Sequence, residues 1–171
     1  MQGQEVNLNQ MLQRREIRAD SQNKLLKKYN SPLISFSMNI PGPIKTNELI
    51  LKAFEIGKNL LLENLSSQNL IVNEIIETHE VTGDEILISI NSEPKKLKDI
   101  TLEIENNSPL GRLFDMDVIN NNGEKLSRKN FRKCLICDKQ AQECARSRTH
   151  SVKEMQDTIQ NILENTVIIK S

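Results

Sequence analysis

Over residues 7–28 the apolar positions are sparse: Leu8, Met11, Leu12, Leu25 and Leu26 sit among Arg14, Arg15 and Arg18. That spacing predicts a mostly polar helix that lies on the surface and buries one narrow stripe. PLISFSMNI (32–40) then alternates apolar with small residues and is cut by Pro41-Gly42-Pro43, as a strand is. Thr46 is placed to cap a helix with Asn47 and Glu48 in its first turn. Leu49, Ile50, Ala53, Ile56, Leu60 and Leu61 follow at helical period, and the stripe stops near Ser66-Ser67. Residues 70–81 and 85–90 read as two strands joined at Thr82-Gly83-Asp84, a hairpin. Pro94 opens a second core helix through Leu97, Ile100, Leu102 and Ile104, which ends by Pro109. RLFDMDVI (112–119) alternates again, with Leu113, Asp115 and Asp117 on one face and Arg112, Phe114, Met116 and Val118 on the other. Asn120-Asn121-Asn122-Gly123 is a turn, Glu124 to Ser127 a short return strand, and residues 151–167 a final amphipathic helix.

The central order is strand, helix, strand, strand, helix, strand, which is the ferredoxin-like βαββαβ arrangement. The expected class is α+β: an antiparallel sheet of four to five strands with helices packed on one face, flanked by N- and C-terminal helices and a small Cys-rich segment. Residues 1–171 are read as one domain. Within it lie the N-terminal helix (7–28), the α+β core (32–120), a basic Cys-rich segment (124–150) and the C-terminal helix (151–168).

Charge narrows the function classes. The 171 residues carry 23 Lys+Arg and 23 Asp+Glu, so the net charge is zero, against a nucleic-acid coat that needs a basic surplus. No apolar run approaches the length of a membrane span, and the first ten residues lack the basic and apolar regions of a signal peptide. The expectation is a cytoplasmic protein with no nucleic-acid or membrane partner. Its three Cys are then thiols or metal ligands rather than disulfides.

Asp115-Met116-Asp117 is the sharpest chemical feature. Positions i and i+2 of a strand point the same way with Cα atoms roughly 6.5 Å apart, which suits two carboxylates sharing a divalent cation such as Mg²⁺. Between Gly111 and Lys153 there are ten Lys/Arg against five Asp/Glu, a local basic surplus that fits a metal-bound polyphosphate. The competing reading is two solvated acids on an exposed sheet face. No Gly-rich phosphate loop of the P-loop type occurs. Cys134, Cys137, Cys144 and His150 form C-x2-C-x6-C-x5-H, four ligands of the kind tetrahedral Zn²⁺ takes, with Arg146 and Arg148 between the last two. The alternative is three reduced thiols without metal. His79 falls inside a strand and reads as a surface or core histidine rather than a base. Two non-catalytic readings stay open: a zinc-stabilised protein-interaction module, and a small RNA-binding domain. The second is disfavoured because Tyr29, Phe36, Phe54, Phe114 and Phe131 put no aromatic pair on one strand.

Four segments together, PLISFSMNIPGPIK (32–45), IEN-x-SPLGRLFDMDV (104–118), LSR (126–128) and RKCLICDKQAQECARSRTH (132–150), resemble the citrate lyase holo-acyl-carrier-protein synthases, the apo-citrate lyase phosphoribosyl-dephospho-CoA transferase family. The resemblance runs from about residue 10 to the C-terminal helix. It implies a transferase of the nucleotidyltransferase type. The donor would be 2′-(5″-triphosphoribosyl)-3′-dephospho-CoA, the acceptor a serine of the acyl-carrier (gamma) subunit of citrate lyase, and the by-product pyrophosphate. Asp115 and Asp117 would hold Mg²⁺ and carry the chemistry, with one of them helping to deprotonate the serine. Lys45, Arg128, Arg146 and Arg148 would contact triphosphate and coenzyme phosphates. Arg112 would join them as a substrate-binding residue or, since it faces the other way by alternation, pin a neighbouring loop instead. Gly42 would permit close backbone approach after the first strand. Asp115-Met116-Asp117-Val118 is similar to the paired acids of nucleotidyltransferases, although the Gly-Ser signature that usually precedes them is missing, and Glu103 and Glu105 are the nearest upstream candidates for a third acid.

Overall fold

The computed structural model describes residues 1–167. In chain order the elements are α1 (Leu8–Tyr29), β1 (Leu33–Met38), α2 (Glu48–Ser67), β2 (Ile71–Glu80), β3 (Gly83–Asn91), α3 (Pro94–Asn107), a 3-10 turn (Gly111–Leu113), β4 (Phe114–Ile119), α4 (Ala141–Ser147) and α5 (Val152–Val167). The fold is α+β, with one four-stranded antiparallel sheet in the order β2-β3-β1-β4. The expected βαββαβ core is present. The expected return strand at 124–127 is reduced to a single bridge between Ile119 and Lys125. Position 168, the expected end of the last helix, lies outside the described residues. Helix α4, inside the Cys-rich segment, was not anticipated.

Local chemistry sets the helix boundaries. Asn7 and Gln10 form a reciprocal capping box at the start of α1. Helix α2 is capped by the side chain of Asn47, not Thr46; the Thr46 hydroxyl instead donates to Asp84 Oδ2 at 2.5 Å. Pro94 stands in the first turn of α3, where its missing N–H costs nothing.

The two faces of the sheet are covered unequally. Ile34 and Phe36 of β1, Ile86, Ile88 and Ile90 of β3, and Phe114, Met116 and Val118 of β4 point into the main core beneath α2, α3 and α5. Phe36 stacks on Phe54 with centroids 5.0 Å apart and meets Phe114 edge-on at 5.3 Å. On the opposite face α1 closes a small cluster of Leu25, Leu33, Leu87 and Ile119. The polar N-terminal half of that helix runs over the rest of this face, and there the site is built. Leu113 departs from the expected alternation. The 3-10 turn resets the phase just before β4, so Leu113 is fully buried in the main core rather than beside the aspartates.

Candidate active site

Strand register assembles the site. Asp115 and Asp117 face the α1 side of the sheet, opposite Ser37 and Ser35 of the neighbouring strand. Ser37 in turn pairs with Glu85 of β3, so one row across three strands reads Glu85, Ser37, Asp115. The two serines are small and leave a trough between the acids of β4 and the side chains of α1. A cavity of about 160 Å³ opens at this point, lined among others by Arg15, Arg18, Ser37, Lys45, Glu85 and Asp115. Thr82 also lines it; its hydroxyl is buried and has no hydrogen-bond partner among the described residues.

The acids differ in their surroundings. Burial pushes the Asp115 carboxyl above the usual aspartate range, the charge of Asp117 adds to the rise, and Arg132, Lys125 and Arg128 oppose it. Asp117 pairs with Lys125. Because the folded value of Asp115 is raised, its contribution to stability is full below the unfolded value and is lost as pH climbs through the folded one. Substituting Asp117→Asn is therefore expected to move the Asp115 titration to lower pH, read from the side-chain carboxyl ¹³C shift against pH. An unchanged midpoint contradicts the coupling.

The surrounding charges are already apportioned. Arg14 Nη2 donates to Glu85 Oε2 at 2.6 Å, and Arg18 grips the same carboxylate through two nitrogens. Glu85 thus shares the aspartates' face and is neutralised there. Arg15 is not held by Glu85 and faces the cavity beside Lys45, whose ammonium donates to Ile40 O at 2.7 Å. Burial lowers the Lys45 value and the nearby Arg15 lowers it further.

Glu105 approaches β4 from its free edge. Its Oε1 accepts the Met116 N–H at 3.0 Å, Arg128 and Arg132 pair with the carboxylate, and Arg132 also donates to Phe114 O. This buried cluster satisfies the open rim of an edge strand at the residues that carry the aspartates. It occupies Glu105 and Arg128 with each other, while Glu103 is exposed on α3; neither glutamate joins the aspartates on their face.

Other expected residues are spread around the site. Arg112 donates to Lys133 O and so ties the 3-10 turn to the Cys-rich segment. Arg148 lines a cavity of about 720 Å³, whereas Arg146 is exposed on α4 and lines none of the three cavities described. Gly42 has φ +89°, and a Cβ there would meet Val152 Cγ1 at 3.0 Å, so the close approach it permits is to α5. The roles of Arg14, Arg15, Arg18 and Glu85 had no sequence signal beyond three arginines interrupting the apolar stripe of α1.

Cys134, Cys137, Cys144 and His150 converge, with their ligand atoms all within 4.8 Å of one another, a group able to hold a metal ion. Cys137 Sγ lies 3.5 Å from Cys144 Sγ and 3.3 Å from His150 Nε2. Glu55, Glu77 and His79 also converge, but Lys58 already stands between the two glutamates and His79 bonds Asp84 Oδ1 at 2.8 Å.

A family model described as apo-citrate lyase phosphoribosyl-dephospho-CoA transferase matches residues 6–166. The chain belongs to this family. A transferase of that name from Citrobacter koseri is 36% identical over 154 residues, covering 88% of this chain and 84% of the relative. Another, from Escherichia coli O7:K1, is 34% identical over 164 residues, covering 94% and 90%. Membership disfavours a non-catalytic interaction module. No helix among the described residues is long and apolar enough to cross a membrane.

Proposed function

We propose that this chain transfers the phosphoribosyl-dephospho-CoA group from its triphosphate precursor to a serine of the acyl-carrier subunit of apo-citrate lyase, releasing pyrophosphate. The observation that carries the reading is the pair of aspartates on one sheet face, with Asp115 lining the same cavity as Lys45 and Arg15, in a chain of this family. A P–O bond to the serine forms as the bond to the departing pyrophosphate breaks, and the serine proton must leave. One of the two aspartates is the acceptor for that proton.

Two like charges on one face, one of them partly buried, form a donor set that fits Mg²⁺. When bound, the cation would supply charge neutralisation at the reacting phosphate and the leaving group. Lys45 and Arg15 are placed to bind phosphate oxygens. Arg14 and Arg18 hold Glu85 and keep α1 across the trough. Arg128 braces the strand edge through Glu105 and also lines the basic cavity beyond it. With donor and apo-carrier present, pyrophosphate is expected in a one-to-one ratio to carrier consumed; carrier-independent or absent release contradicts the reading.

We assign structural Zn²⁺ to Cys134, Cys137, Cys144 and His150. The sulfur–sulfur edge of a tetrahedral zinc site is about 3.8 Å, close to the Cys137–Cys144 separation of 3.5 Å. The amide of Ile136 donates to Cys134 Sγ at 3.5 Å, support of the sort that steadies a ligating thiolate. A reducing, cytoplasmic setting suits such thiols. Metal analysis is expected to find one zinc per chain, and Cys137→Ser to lose it. That variant should also become susceptible to protease between residues 131 and 151 while the sheet stays folded. Zinc-free native protein, or a Cys137→Ser chain with full zinc, contradicts the assignment.

A further inference from the structure

We infer that the dephospho-CoA arm of the donor occupies the cavity of about 720 Å³ lined by the 3-10 turn before β4, the Cys-rich segment and α5. The inference rests on the transferase reading and extends it by giving the coenzyme a place. The volume is that of a site for a cofactor-sized ligand. Leu113, Leu135, Ala145, Val152, Met155 and Ile159 supply apolar wall, which suits a long neutral pantetheine chain and an adenine ring. Arg112, Arg132, Lys133 and Arg148 also line it, and no Asp or Glu does. An apolar trough with cations and no acids complements a ligand that is neutral along most of its length and carries phosphates.

The other two cavities fit this arm less well. The one holding Asp115 is about 160 Å³ and contains Asp84 and Glu85 as well. The one beyond the β4 edge, about 630 Å³, is lined by seven Lys or Arg together with Asp99 and Glu105, a setting for phosphate rather than for an apolar chain.

Position supports the same assignment. Asn39 lines both the apolar cavity and the cavity of Asp115, and its backbone N–H donates to Leu113 O at 2.7 Å, which locks the junction. A ligand seated against α5 therefore has its phosphate end directed along Asn39 toward Asp115. Cys134, Cys144 and His150 are part of the wall, so the metal cluster shapes this cavity.

The test uses the metal-replete full chain and dephospho-CoA alone as the probe, titrated calorimetrically. Ala145→Trp fills the cavity, and Arg148→Glu reverses a lining charge at an exposed helix C-cap that should not disturb folding. Saturable binding by the parent, with Kd raised at least tenfold in both variants at unchanged zinc content and melting temperature, supports the assignment. If Ala145→Trp alone perturbs folding, Arg148→Glu decides. Parent-like binding in the folded variants overturns it, as does a parent that shows no saturable binding. Carrier modification is scored separately. Binding lost in the variants with no carrier ever modified refutes the transferase reading while supporting the cavity, and modification with variant-insensitive binding overturns the cavity alone.

Discussion

Asp115→Asn is expected to lower transfer to the carrier by about a thousandfold or more, the scale set by losing one electrostatic stabiliser of a reacting centre. The fold should survive and even gain. Asp115 is partly buried and its carboxyl sits above the ordinary aspartate value because of burial and the neighbouring Asp117. Ionising it near neutral pH therefore opposes folding, and an amide of the same shape removes that cost. The expected result is a melting temperature at neutral pH equal to or above that of the parent, with catalysis nearly abolished. Measuring both on one preparation separates a role in chemistry from a role in folding. Near-normal turnover in saturating Mg²⁺ rules out the assigned role, and a collapsed melting temperature would make Asp115 structural.

Glu105→Ala is expected to have the largest effect on stability, about 3 kcal/mol or more. The Glu105 side chain is 1% exposed and serves three partners: the Met116 amide, Arg128 and Arg132. Its loss strands a buried N–H on an edge strand and leaves two partly buried guanidiniums without their carboxylate. Met116 lies between the two aspartates, so the damage should extend to their alignment. Urea titration is the measurement, read as a fall in the midpoint without change in slope. Glu105→Gln keeps an acceptor for Met116 and should recover part of the loss. A Glu105→Ala midpoint within error of the parent would show that the strand edge does not depend on this cluster.

These residues also show what the chain reveals by its own order. Alternation along 114–119 was enough to put Asp115 and Asp117 on one face, because a strand enforces period two wherever its other face is buried. The Cys134–His150 cluster was legible for a similar reason: all four ligands fall within 17 consecutive positions, and the turn from Cys134 to Lys139 together with α4 closes the distances. Leu113 was misplaced because a 3-10 turn interrupts the alternation one residue before the strand. The cap of α2 was off by one because Thr and Asn are both good caps, and Thr46 found a competing acceptor in Asp84.

Long-range charge pairing was not legible at all. Glu85 meets Arg14 across 71 positions, and Glu105 meets Arg128 across 23. Nothing in local periodicity tells a glutamate that will face an active site from one that an arginine will neutralise. As a result the pairing of Arg128 with Glu105 at the strand edge was not anticipated, while Arg15 and Arg18 look from the sequence like ordinary residues of a polar helix.

The most direct measurement is the intact mass of the acyl-carrier subunit after incubation with this protein, Mg²⁺ and the triphosphoribosyl-dephospho-CoA donor. The account predicts a single mass increase equal to one phosphoribosyl-dephospho-CoA group, absent when the carrier serine is replaced and when Asp115→Asn is used. A carrier that stays at its apo mass, or one that gains the group equally well with Asp115→Asn, would contradict it.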